Sequence, residues 1–240
     1  MLFSILSGGN PQTILISLLL TLPIIVFALS IHETAHGYAA WKCGDNTAYN
    51  LGRLSLNPAK HIDLMGTIAM LVFGFGWAKP VPVNTRNFRN HKRGMAITAA
   101  AGPLANILTG IVSILFYSFF AALFAFATTK GWGSFAINCI RWLATFAMLG
   151  AEINLVFAFF NLIPIPPFDG SRIAFTFLPT KTYFSIMRYE REIMYGILIA
   201  LIACSYLFDF SPFSWLAIKT VNLIEPPLTE AFWKLFVRFL

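Results

Sequence analysis

The sequence predicts a mainly α-helical membrane protein: a polytopic bundle of about four transmembrane helices, with a re-entrant segment and a small β element at the cytoplasmic edge. Three observations carry this. Of 240 residues, 58% are hydrophobic and only 11% charged, where soluble domains average roughly 25% charged. Residues 1–31 and 94–129 contain no charged side chain at all, and runs of that length can cross a bilayer. The basic residues gather between the apolar runs. Eight of them (Lys42, Arg53, Lys60, Lys79, Arg86, Arg89, Lys92 and Arg93) lie in the segment from 41 to 94, which holds only two acids, Asp45 and Asp63. By the positive-inside rule that segment is cytoplasmic.

The elements follow in order. Helix one is expected at about residues 11–40, with the uncharged N-terminus outside. It continues well past the usual signal-peptide core and has no basic n-region, so it is read as a retained helix. Residues 49–55 look extended. The apolar run 65–75 is only 11 residues long, shorter than the roughly 17 a spanning helix needs, and is read as re-entrant or packed inside the bundle. Residues 77–84 contain Pro80 and Pro82, which disfavour helix; with 49–55 they suggest the small sheet. Helix two is placed at 95–127, an outer loop at 128–141 and helix three at 142–163. A second basic segment, 171–192, carries Arg172, Lys181, Arg188 and Arg191, and helix four follows at 193–208. A single transmembrane domain thus occupies 1–210, its core about 11–172. Residues 211–240 form a C-terminal interfacial tail, in which 228–240 reads as a short amphipathic helix bearing Trp233.

Bulk properties also exclude some functions. Cys43, Cys139 and Cys204 are widely spaced, so neither a disulfide framework nor a thiolate metal site is expected. The net charge of +7 comes from basic residues scattered around apolar segments, which reports topology and argues against a nucleic-acid partner.

The chemistry lies in helix one, at His32-Glu33-Thr34-Ala35-His36. Histidines at i and i+4 share a helix face and can grip one metal, with the glutamate beside it. Neutral imidazoles suit zinc, and an open coordination position lets the ion lower the pKa of a bound water toward about 7. Glu33 would take that water's proton. Three ionisable residues in five positions of an apolar helix are expensive unless they serve a function. A third ligand is needed, and the best candidate is Asp169, in Asn161-x-x-Pro164-x-Pro166-Pro167-x-Asp169-Gly170. The prolines end helix three, and an unwound segment lining a cavity could aim a carboxylate sideways. Helices one and three both run inward, so these residues are expected near one membrane face. The competing reading is that Asp169-Gly170 is simply a turn outside the membrane.

These two motifs, in this order on two apolar helices, resemble the site-2 protease family of intramembrane zinc metalloproteases. Lesser stretches look similar too: Asn57-Pro58 with His61-Ile62-Asp63, the run from Gly76 to Asn84, and Ala101-Gly102-Pro103-Leu104-Ala105-Asn106. Together they cover about residues 30–172. The resemblance implies one zinc ion held by His32, His36 and Asp169, with Glu33 as general base and acid. It implies cleavage of peptide bonds within or beside transmembrane segments of substrate proteins, and it matches Asn161 to an asparagine associated with substrate or transition-state contacts. The 240 residues leave no room for the PDZ or CBS domain of larger members.

Other polar residues admit two readings. Asn154 shares a face with Asn161 and could line the cavity or serve packing. Glu152 falls on the opposite face, where an interhelix hydrogen bond is preferred over a metal role. His61 and His91 are read as structural or solvated. The extended stretches near 51–56 and 81–84 could pair with an unwound substrate by strand addition. The expected partners are transmembrane protein substrates and the lipid bilayer, with a homo-oligomer or a membrane adaptor possible; the expected location is a prokaryotic cytoplasmic membrane, active site toward the cytoplasm. Two other classes compete: a non-catalytic protein that holds transmembrane clients, against which the intact Glu33 argues, and a metal transporter, which would not need that glutamate.

Overall fold

Asn10 starts the first helix, α1 (Pro11–Lys42): its side chain accepts the Gln12 N–H at 2.9 Å, and Pro11 stands where its missing N–H costs nothing. A computed structural model of the chain describes residues 10–66, 78–207 and 212–238. In α1 the buried positions Ala28, His32, His36 and Ala40 recur every four residues, while Leu15, Leu19 and Phe27 are exposed. Helical periodicity thus gathers the small and polar side chains on one stripe and leaves large apolar ones for lipid. The helix closes at Cys43, whose N–H bonds to the Ala39 and Ala40 carbonyls. Gly44 then turns the chain at φ +111°, a left-handed conformation that side chains rarely adopt.

The chain divides into two compact units, one holding residues up to Ala105 together with Arg172–Leu178, the other Asn106–Ser171 together with Pro179–Leu240. In the first unit α2 (Thr47–Asn50) packs on α1. Fully buried Asp45 ties the turn between them to a later loop, accepting from the Thr47 side chain and N–H, from the Asn84 N–H at 2.7 Å and from Asn87 Nδ2 at 2.8 Å. Burial raises the Asp45 pKa, but these hydrogen bonds outweigh it and hold the carboxyl below its ordinary value. Short 3₁₀ turns at Pro58–Lys60 and Thr85–Asn87 are each capped by the preceding asparagine, Asn57 or Asn84.

Between those turns the expected small sheet is reduced, among the described residues, to one antiparallel bridge between Ile62 and Ala78, where the Lys79 N–H donates to the His61 carbonyl at 2.8 Å. Prolines at 80 and 82 have no N–H with which to extend a ladder. The expected re-entrant segment at 65–75 lies almost wholly outside the described residues.

Helix α3 (His91–Thr129) contributes its residues to Ala105 to the first unit and the remainder to the second. In the second unit, α4 (Ser134–Asn161) packs with α3 around fully buried Ile114, Ala151 and Leu155. Gly110 lets Leu155 come within 3.0 Å of where a Cβ would be, close helix approach being how membrane helices pack. Leu108, Val112 and Phe116, four residues apart, are exposed and form a lipid-facing stripe. Then come α5 (Asp169–Ala174), α6 (Thr180–Met187), α7 (Glu190–Leu207) and α8 (Pro212–Val237).

Three described helices, α1, α3 and α4, are long and apolar enough to cross a membrane; the expectation was about four. The proposed fourth is α7, only 18 residues long and charged at its first three positions, Glu190, Arg191 and Glu192. The end of the chain also differs. In place of a short amphipathic helix beginning at 228, α8 runs unbroken through Pro226 and Pro227. It packs on α4 and α7, with Ile224, Leu228 and Phe232 against the Ile114–Leu155 core. That apolar contact offsets the two backbone hydrogen bonds the prolines remove, a balance invisible in local propensity.

Candidate metal centre

Both histidines of the HExxH lie on the buried stripe of α1, His32 5% and His36 9% exposed. Their Nε2 atoms converge to 2.9 Å. The His36 Nδ1 donates to the Thr98 carbonyl on α3 at 2.7 Å; because a carbonyl only accepts, this hydrogen bond fixes the tautomer that leaves Nε2 as a lone pair. α3 can come this close because position 102 is glycine. A Cβ there would stand 2.5 Å from His36 Nε2 and 2.7 Å from His32 Cε1, so α3 meets both rings only because position 102 carries no methyl group.

Glu33 is one residue, about 100° of turn, away from the histidine stripe. Its Oε2 accepts the Val81 N–H at 2.7 Å. One turn on, a Cβ at Gly37 would stand 3.1 Å from Val81 Cγ1 and 2.5 Å from Leu54 Cδ2, so this face of α1 is covered by the segments containing Leu54 and Val81. Thr34 Oγ1 donates to the Ser55 carbonyl at 2.8 Å, and buried His61 donates to the same carbonyl from Nε2 at 2.7 Å. His61 therefore anchors a loop. His91, at the first position of α3, donates from Nδ1 to the Thr85 carbonyl at 2.6 Å.

Asp169 opens α5 in the second unit, half-buried, directly after the proline-rich turn. Gly170 makes that turn possible, since a Cβ would stand 2.2 Å from the Leu162 carbonyl oxygen and 2.6 Å from that of Ile163. The head of α5 thus rests on the end of α4. Asn161, the last residue of α4, donates from Nδ2 to the Phe157 carbonyl at 2.9 Å. Buried Asn154 accepts from Asn106 Nδ2 at 2.8 Å and donates to the Gly150 carbonyl at 2.8 Å, so its amide joins α4 to α3. Ring nitrogens from His32 and His36 and a carboxylate oxygen from Asp169 are a donor set zinc accepts, two imidazoles and one carboxylate.

Comparison with known proteins decides the family: the model for peptidase family M50 matches residues 20–204. The chain belongs to peptidase family M50. It is similar to "Putative zinc metalloprotease YwhC" of Bacillus subtilis, 35% identical over 182 residues that cover 74% of this chain and 76% of that one. It is also similar to "Putative zinc metalloprotease MJ0611" of Methanocaldococcus jannaschii, 29% identical over 62% of this chain and 71% of that one. A third relative, "Putative zinc metalloprotease Rip2" of Mycolicibacterium smegmatis, is 27% identical over 60% of this chain and 52% of that one. No solved structure gives a significant match. The resemblance to site-2 proteases is borne out: the chain is a metalloendopeptidase whose cofactor is Zn2+, and its apolar helices fit a lipid bilayer.

Three residues that touch the histidines or Glu33 have no counterpart among the residues singled out in the sequence. Thr98 acts through its backbone, which no residue type announces. Gly102 stands out in the sequence only within the Ala101–Asn106 stretch, with nothing local to say that it faces the histidines. Val81 had a readable signal: between Pro80 and Pro82 it owns the only N–H of that tripeptide.

Proposed function

We propose that this M50 peptidase hydrolyses peptide bonds within or next to transmembrane segments of membrane protein substrates, with zinc held by His32, His36 and Asp169 and with Glu33 as general base and acid. The observation that carries this reading is the place of the histidine pair, on the buried stripe of a helix apolar and long enough to span a membrane. A soluble protease has no reason to bury its metal ligands there; a protease whose substrate is itself in the bilayer does.

Zinc, when bound, polarises the scissile carbonyl and the attacking water. The protein's own residues do the rest. Thr98 holds the His36 ring, and Gly102 leaves room for His36 Nε2 and for the edge of the His32 ring. Glu33, with Oε2 engaged by Val81, has Oε1 to take the proton of the attacking water and pass it to the leaving amine. Asp169 supplies the third, anionic ligand from the head of α5. Asn161 contacts substrate or transition state, a role in which Asn154 is the weaker candidate because its amide is engaged with Asn106 and Gly150. The substrate's backbone must unwind before attack, because a membrane helix satisfies its own polar groups. In this reading the site lies toward the cytoplasmic side of a prokaryotic cytoplasmic membrane, an orientation supported by the basic segment between α1 and α3.

The test is metal content of the detergent-purified protein together with cleavage of a transmembrane peptide, in the native chain, Glu33→Gln and Asp169→Ala. Zinc near one per chain, kept in Glu33→Gln and weakened in Asp169→Ala, is expected, with cleavage falling by at least about 10²-fold in Glu33→Gln. Cleavage of soluble peptides only, or full activity of Glu33→Gln, would refute the proposal.

A further inference from the structure

The loop segment beside Glu33 is itself held. Arg53 Nη2 donates to the Lys79 carbonyl at 2.8 Å and to the Pro80 carbonyl at 3.3 Å. The Pro80 carbonyl and the Val81 N–H belong to one planar peptide group, and in a trans peptide they point in opposite directions. One side of that group faces the Arg53 guanidinium and the other faces Glu33 Oε2, at 2.7 Å. A cation, a peptide dipole and a carboxylate therefore stand in sequence, each polarising the next. The Lys79 N–H on the His61 carbonyl pins the same segment one residue earlier, and the Val81 side chain sits on the bare backbone of Gly37.

We propose that Arg53, acting through the Pro80–Val81 peptide, is the positioning residue for Glu33: it fixes one carboxylate oxygen so that the other faces the reacting water. The inference rests on the general-base role of Glu33 proposed above. Glu33 needs such a holder. It stands off the histidine stripe by one residue's turn, and a free glutamate side chain samples several rotamers. Neither Pro80 nor Pro82 can substitute for the Val81 donor.

Hydrogen exchange tests the contact without reference to activity. In a fragment of residues 80–82 only Val81 carries an exchangeable amide, so its rate is read directly in the full-length protein. Glu33→Ala and Arg53→Met are expected to speed that exchange by about tenfold or more, the loss of one charge-assisted hydrogen bond. Equal rates in the native chain and Glu33→Ala would overturn the proposal. In the cleavage assay Arg53→Met is expected to lower kcat by about 10- to 100-fold, with KM and zinc content unchanged, since displacing a reacting group by about 1 Å costs up to that much; Arg53→Lys recovers part of the loss. Val81→Pro removes the N–H donor at a position before Pro82, where extended backbone is favoured, and changes the side chain that packs on Gly37; Val81→Ala trims that same side chain but keeps the donor, so Val81→Pro is expected to lose more. Should Val81→Pro fail to fold, Arg53→Met decides, because it leaves the backbone untouched. If Glu33→Gln abolishes cleavage while Arg53→Met retains the native kcat, the positioning role alone falls. If Glu33→Gln cleaves normally, the general-base reading falls and takes this one with it.

Discussion

Replacing Gly102 by alanine tests whether a missing methyl group keeps the metal site open. By intrinsic propensity alone the change would favour α3 by up to about 1 kcal/mol, since glycine is a poor helix former. The tertiary structure reverses the sign. The new Cβ would stand 2.5 Å from His36 Nε2, 2.6 Å from its Cε1 and 2.7 Å from His32 Cε1, an overlap of about 1 Å with respect to ordinary carbon contacts. These are ring atoms, and the His36 ring is pinned by its bond to Thr98, one turn before Gly102 on the same helix. Relief requires giving up that hydrogen bond, about 0.5–1.5 kcal/mol, and twisting the ring off its rotamer, about as much again. Together this is roughly 1–3 kcal/mol at the ligand atoms, so zinc affinity should fall about 5- to 150-fold. Zinc retention against graded chelator measures it, with Leu104→Ala, an exposed position on α3, as the control. If Gly102→Ala holds zinc as tightly as the native protein, the steric reasoning is wrong.

Other outcomes can be checked with the same protein. Asp45→Asn should lower the melting temperature at neutral pH, with a loss of about 1–3 kcal/mol for the buried charge-assisted hydrogen bonds. Because the folded Asp45 carboxyl titrates below its ordinary 3.8, its stabilisation is complete above that value and lost as pH falls through the folded pKa, so the two melting curves should converge in acid; a difference that grew on acidification would refute this. Gly170→Ala drives a methyl group into the Leu162 carbonyl and should displace the turn carrying Asp169, weakening zinc about 10- to 100-fold; unchanged zinc content would dissociate that turn from the metal. Asn154→Ala removes the acceptor of Asn106 and should cost about 0.5–2 kcal/mol in thermal unfolding while zinc stoichiometry stays the same; loss of zinc instead would place Asn154 at the site.

The sequence by itself determined the membrane class and the resemblance to a zinc metalloprotease family. Charge-free runs longer than a bilayer is thick point to spanning helices, and His32, Glu33 and His36 are related by helical geometry alone, so α1 and its paired histidines were legible from local spacing. Family membership rested on those same residues with the proline turn before Asp169. What lay beyond local spacing was decided by the tertiary structure. Nothing in the letters Pro226-Pro227 says that a helix continues through them; packing of Ile224, Leu228 and Phe232 on a distant core does. The extended stretches suggested a sheet, yet two of the three backbone donors between residues 80 and 84 are spent on side chains, Val81 on Glu33 and Asn84 on Asp45. Gly102 beside two histidines, and Arg53 behind the peptide that holds Glu33, join residues many positions apart in the chain. Local physics chooses elements and pairs residues one turn apart; which backbone carbonyl holds the His36 ring, and which peptide faces Glu33, is settled only when segments distant in sequence come together.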